Sequence, residues 1–258
     1  MATIKVLGLP YEGVENFQPG AQLAPASIRW AYDSIELHSV YQAAAVPDFD
    51  DLGDFYFYSK EKPEKFIDDA GNLLKKQNIK PPFIALGGDH LITYPIIKYL
   101  SASGEKFKVI HLDAHLDRRD AFVGNRYSHA SVVKRIEELI GEENVITLGY
   151  RSVYPEERPR RAEAFKVIEP LMRIVAEETI PLYLTLDFDV LNPSIFPAVS
   201  NPEPGGIDFL ELMDAFKLLK GKVIAMDLVE LNPLLDATHQ SSVLAAEVFR
   251  ESLILLSR

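Results

Sequence analysis

The sequence predicts an α/β fold, a mainly parallel sheet wound as repeated βα units. Two observations carry this. Short runs rich in Val, Ile and Leu recur along all 258 residues, and stretches with helical spacing separate them. No Ser/Gly/Pro-rich linker, composition break or internal repeat beyond that alternation interrupts the chain, so residues 1–258 are expected to form one domain.

Taken in order, the apolar run 4–9 reads as the first strand, and residues 11–25, with Gly13, Pro19 and Gly20 inside, as a long loop of the kind that carries function. A helix over 63–77 opens on Pro63, a residue suited to a first helical turn. Strands are expected at 83–86, 107–113, 144–149, 165–168, 181–188 and 222–229, and helices at 94–101, 128–141, 208–219 and 241–257. Asp208 can cap its helix, Glu211 completes a capping box, and Gly221 stops it.

Hydrophobic residues make up 47% and charged residues 25%, an ordinary globular balance with material for a core. The formal net charge of −11 repels nucleic acid and anionic membrane surfaces and attracts small cations. With no cysteine, disulfides, thiolate nucleophiles and thiolate-held zinc are excluded, so any metal must use oxygen and imidazole. The start at Met1 lacks the pattern of a signal peptide, and no apolar run approaches the ~20 residues that span a bilayer. The expectation is a soluble, cytoplasmic protein without nucleic-acid or membrane partners.

The chemistry gathers where strands should end, which in an open parallel sheet is the ligand crevice. His111, Asp113, His115 and Asp117 stand two apart, so an extended backbone turns them to one side. His111, about 6.6 Å deeper than Asp113 at ~3.3 Å per residue, reads as a core histidine. A second strand, Pro181 to Leu186, delivers Asp187 and Asp189 in the same way, and a third ends at Gly87-Gly-Asp-His90.

Four carboxylates, Asp113, Asp117, Asp187 and Asp189, repel one another in a crevice unless cations neutralise them. Two divalent ions restore the balance, and with His90 and His115 six side chains can serve two ions if carboxylates bridge. The oxygen and imidazole set suits Mn2+ better than softer ions. Two ions about 3.5–4 Å apart can share and activate a water for attack on carbon or phosphorus. That is a hydrolase pattern.

Gly87-Gly-Asp-His90, Asp113-Ala-His-Leu-Asp117, Thr185-Leu-Asp-Phe-Asp189 and Asp227-Leu-Val-Glu230 stand in the order found in the arginase and agmatinase (ureohydrolase) family, which the chain resembles from about residue 80 onward. Pro202 to Gly206 resembles a family loop, and Tyr127-Ser-His-Ala-Ser131 looks most like short archaeal agmatinases. The resemblance implies a three-layer αβα, doubly wound, arginase-like fold and two Mn2+ per chain. His90, Asp113, Asp117 and Asp187 would hold one ion and Asp113, His115, Asp187 and Asp189 the other, with Asp113 and Asp187 bridging. It further implies His129 as a proton shuttle at the mouth, Asp117 steadying the attacking water and Glu230 receiving the guanidinium, a natural bidentate partner of a carboxylate. It also implies a homo-oligomer, trimer or hexamer. The substrate would be a small cationic guanidino compound, above all agmatine, hydrolysed to putrescine and urea.

The bland alternatives are a solvated loop acid at Glu230 and, at His129, a histidine exposed in a helical turn capped by Ser128. Departures from the family pattern are Thr185 for Ser, Ala130 for Gly and Asn201 for Thr. Where arginases carry Asn and Ser side chains for the substrate's α-carboxylate, this chain has Arg118-Arg119-Asp120 and Gly124-Asn125-Arg126, which disfavours arginine. Those arginines keep a formimidoylglutamase-like substrate open, and an inactive guanidino-binding relative also remains. Dimetal phosphoesterases are disfavoured because the chain has no Asn-His pair.

Overall fold

The computed structural model describes residues 3–13, 17–57, 62–157 and 162–257. The first two residues of the N-terminal start and residues 14–16 of the expected 11–25 loop lie outside the described residues.

The chain begins with β1 (Ile4–Leu9), α1 (Ala24–Tyr32), a small hairpin of β2 (His38–Ser39) and β3 (Ala44–Ala45), and β4 (Phe49–Asp54). Then come α2 (Pro63–Lys76), β5 (Phe83–Gly87), α3 (Thr93–Ser101), β6 (Lys108–Leu112), α4 (Val132–Ile140) and β7 (Val145–Tyr150). β8 (Ala162–Ala164), α5 (Ile168–Glu177), β9 (Leu182–Asp187), α6 (Phe209–Leu219), β10 (Val223–Val229) and α7 (Gln240–Leu256) complete it. Eight strands form one sheet in the order β4-β1-β5-β10-β9-β6-β7-β8, and every pairing is parallel.

Largely apolar runs make the central strands because a parallel sheet is covered on both faces there. Alternate residues go to opposite cores: Ile84 and Leu86 of β5, with Leu182, Leu184 and Leu186 of β9, meet the layer of α1, α5, α6 and α7. Phe83 and Ala85, with Tyr183, meet α2, α3 and α4. The result is the expected three-layer αβα, doubly wound architecture. The capping box at Asp208 forms, with Asp208 and Glu211 exchanging backbone hydrogen bonds of 2.8 and 3.0 Å.

Three expectations need correction. The strand expected at 165–168 is instead β8 at Ala162–Ala164 followed by the start of α5 at Ile168. The 11–25 loop ends in a 3-10 turn at Ala21–Leu23 and enters α1 at Ala24. The helix expected at 128–141 opens as a 3-10 turn, His129–Ser131, and becomes α-helical only at Val132.

Candidate active site

Four neighbouring strands, β5, β10, β9 and β6, carry the site at their C-terminal ends. Register sets the level: Leu228 of β10 stands opposite Leu86 and Leu186, and Leu186 opposite Leu112. One residue beyond this row lie Asp187 and Asp113, so both emerge at one height.

The turn after β5 needs Gly88, because a Cβ there would overlap the Tyr11 carbonyl oxygen. Its close approach lets Asp89 N donate to Tyr11 O at 2.9 Å, and Gly88 O accepts from Glu230 N at 2.9 Å. The turn thus joins the N-terminal loop to the end of β10. Asp89 accepts from Gly13 N and Leu91 N at 2.7 and 2.9 Å, and so aims His90 inward.

His90 Nδ1 lies 3.2 Å from Asp113 Oδ2, 3.3 Å from Asp117 Oδ2 and 3.2 Å from Asp187 Oδ2. His115 Nδ1 lies 2.7 Å from Asp189 Oδ2 and 3.5 Å from Asp113 Oδ1. All six sequence-derived ligand candidates therefore meet in two groups that share Asp113. Backbone amides hold the inner oxygens: Asp189 N donates to Asp187 Oδ1 and Ala114 N to Asp189 Oδ1, both at 2.8 Å. The outer oxygens are left facing the histidines.

Two residues in the site have left-handed backbone, Asp117 (φ 51) and Glu230 (φ 68). Such conformations cost about 1–3 kcal/mol each and concentrate at functional sites. At Asp117 the twist turns the carbonyl onto the first amides of α4, Val133 N and Lys134 N at 3.1 and 3.3 Å, while the side chain faces His90.

Behind the ligand candidates stands a second layer, of which sequence reading had only His111, as a core histidine. His111, fully buried, has Nε2 2.7 Å from Asp113 Oδ2 and Nδ1 3.0 Å from Thr147 Oγ1. His90 Nε2 lies 2.9 Å from Thr185 Oγ1, whose hydroxyl donates to Asp227 Oδ1 at 2.6 Å, and Tyr183 donates to the other oxygen at 2.6 Å. Such partners orient metal-ligating histidines and carboxylates. The signal was present in Asp227, quoted with its motif but given no role. Arg151, also unforeseen, spends its guanidinium on backbone carbonyls, among them Asp189 O at 2.6 Å and Glu203 O at 3.1 Å, and staples the 203–206 loop to the ligand turn.

Electrostatics shows what the cluster lacks. Burial, with Asp189 and Asp113 close by, pushes the Asp187 carboxyl well above its ordinary range. Burial alone would lower His90, but Asp113, Asp117 and Asp187 raise it well above the usual histidine value. Burial and the nearby Asp89 push Glu230 up strongly. Four buried or nearly buried carboxylates against two imidazoles leave surplus negative charge, and their oxygen and nitrogen donors suit two hard divalent cations.

A cavity of about 290 Å³ opens over this cluster, lined by His115, Asp187 and Asp189 on the floor and by Glu230, His129 and Arg119 on the wall. Glu230 is buried, and its Oε1 accepts from His90 N at 2.7 Å, so it is not a solvated loop acid. His129 is half-buried, 5.3 Å from the Phe122 ring. Ser128 places no side-chain cap on the turn; its hydroxyl meets that of Ser131 at 3.1 Å.

The fold and the site together describe an α/β protein with a buried carboxylate and histidine cluster that could hold metal ions. A family profile described as Arginase family matches residues 2–255. An agmatinase of Bacillus anthracis is 31% identical over 97% of this chain and 91% of its own. The crystal structure of a putative agmatinase from Clostridium difficile superposes with a TM-score of 0.88 at 28% identity, covering 99% of this chain and 97% of that one. That of an agmatine ureohydrolase of Thermoplasma volcanium does so at 0.87 and 28%, covering 98% and 89%. The chain belongs to the arginase family, and by these likenesses it is an agmatinase-like ureohydrolase.

Proposed function

We propose that this protein hydrolyses the guanidino group of a small substrate with two Mn2+, releasing urea and an amine. The observation that carries the reading is one cavity lined by His115, Asp117, Asp187 and Asp189, over two residue groups that share Asp113 and could hold metal ions, and by the buried carboxylate of Glu230. His90, Asp113, Asp117 and Asp187 would hold one ion, and Asp113, His115, Asp187 and Asp189 the other. When bound, the ions supply Lewis acidity and activate water. Glu230 pairs with the guanidinium and fixes its plane above the floor. Asp117 orients the attacking water, and His129 passes a proton to the leaving amine at the mouth.

Agmatine, yielding putrescine and urea, is the substrate supported by the relatives' names; Arg119 on the cavity wall favours a second reading, a guanidino compound ending in a carboxylate. The test is urea release by Mn2+-loaded protein from agmatine, arginine, 4-guanidinobutyrate and formiminoglutamate, with formamide followed for the last. Turnover of none of them would end the hydrolase reading. Among the described residues no helix is long and apolar enough to cross a membrane, in keeping with a cytoplasmic site of action. A trimer or hexamer is the assembly proposed from the family resemblance, to be checked by light scattering against the 29.0 kDa chain mass.

A further inference from the structure

Arg118 and Arg119 directly follow the Asp117 ligand, and their side chains part company. Arg118 is buried outside the cavity wall, where its Nε donates to Glu137 Oε1 at 2.6 Å. Arg119 forms part of the wall. Its guanidinium carbon lies 5.1 Å from the Phe122 ring centroid and 4.5 Å from that of Tyr154. Aromatic faces hold the plane of a guanidinium and leave its N–H edge unused.

The surroundings keep it there. Arg119 N donates to Ala130 O at 3.2 Å, and Glu157 accepts from Tyr154 N and from Arg118 N, both at 2.8 Å. Glu203, the nearest rim acid to the floor, has its Oε1 3.6 Å from His115 Nε2. Among the described residues no carboxylate pairs with Arg119; its recorded side-chain contacts are the two rings. A half-buried cation with free donors therefore faces the same cavity as Glu230.

We propose that Arg119 receives a carboxylate at the end of the substrate remote from the guanidino group, which makes ω-guanidino carboxylates the preferred class. The inference rests on guanidino hydrolysis in this cavity. Glu230 and Arg119 then form two opposite poles, matched by a molecule with a guanidinium at one end and a carboxylate at the other. A carboxylate meets the free N–H edge in a charge-assisted, bidentate pair. Agmatine would instead bring a terminal ammonium against a like charge.

The two compounds to compare are 4-guanidinobutyrate and agmatine, which carry the same guanidino group on similar chains with opposite terminal charges. In Mn2+-loaded protein, kcat/KM for 4-guanidinobutyrate is expected to exceed that for agmatine by at least about ten-fold, the scale of one charge-assisted hydrogen bond. Arg119→Gln should abolish that ratio through KM, and Arg119→Lys, which keeps the charge, should preserve part of it. Better turnover of agmatine, with a ratio unmoved by Arg119→Gln, overturns the proposal and leaves guanidino hydrolysis standing. If neither compound yields urea, the hydrolysis reading fails by itself. Calorimetric binding of unreacted 4-guanidinobutyrate then decides for Arg119: weakening in Arg119→Gln upholds the receptor, and equal binding removes it.

Discussion

Glu230 sits in left-handed backbone with its amide on Gly88 O and its carboxylate on His90 N, so its position is fixed from both sides. Glu230→Gln keeps shape and removes the charge opposite a guanidinium. Breaking a buried ion pair costs about 3–5 kcal/mol, so turnover should fall at least ~100-fold while two Mn2+ remain by elemental analysis. Near-normal turnover would remove Glu230 from the site. His129→Ala should cost about 100-fold and recover in part with added imidazole; an unchanged rate would leave His129 a bystander. At this scale the clustering of the ligand candidates was legible because Asp-x-His-x-Asp and Asp-x-Asp repeat at strand ends. Arg119 was legible as a residue but not as a direction, since only the folded backbone decides that Arg118 goes to Glu137 and Arg119 to the cavity.

Central elements were easier to read than marginal ones for a physical reason. β5, β9 and β6 are covered on both faces and so are largely apolar, whereas the edge strand β4, Phe-Asp-Asp-Leu-Gly-Asp, stays half in water and shows no such run. β8, three residues long, is equally marginal, and Val167 and Ile168 read as a strand although they cap and open α5. The turn before α7 offers a test of local design. Asp236 accepts from Ser241 N and Oγ at 2.8 and 2.7 Å and from Thr238 N at 2.9 Å. Burial pushes its carboxyl up, but these bonds and that of the Thr238 hydroxyl outweigh it and hold the group far below its ordinary value of 3.8. A depressed folded-state value means stability that is complete above the unfolded value and lost as pH falls through the folded one. Asp236→Ala should therefore cost about 1–3 kcal/mol at neutral pH and flatten the acid side of the stability curve. A melting temperature unchanged at pH 7 would contradict this.

Across the whole molecule, the proposed two-cation site would make folding and cation uptake one equilibrium, because its buried carboxylates carry surplus charge. Ions that bind only the folded chain stabilise it by about 2.7 kcal/mol at a hundred times their dissociation constant. The melting temperature should rise with added Mn2+, fall with chelator and return on reloading, with uptake approaching two ions per chain. Asp187→Ala, which removes a proposed bridge, should lower occupancy at both positions. A melting curve indifferent to Mn2+ would refute the coupling.

β10 is the last strand of the sheet to be synthesised, yet it lies between β5 and β9. On the ribosome, residues 3–221 can therefore assemble only two half-sheets, each with a bare inner edge open to wrong partners. His90 hangs from one half and Asp113, Asp117 and Asp187 from the other, so the ion proposed to join them has no complete site until residues 223–229 slide in, whereas Asp113, His115, Asp187 and Asp189 all belong to one half. Of the two proposed ions, the one that needs His90 should thus wait for the last strand of the sheet. Stalled chains ending at Gly221 should retain at most one Mn2+ each through gel filtration and should bind chaperones, and retention of two by such chains would show that the halves can meet without their keystone.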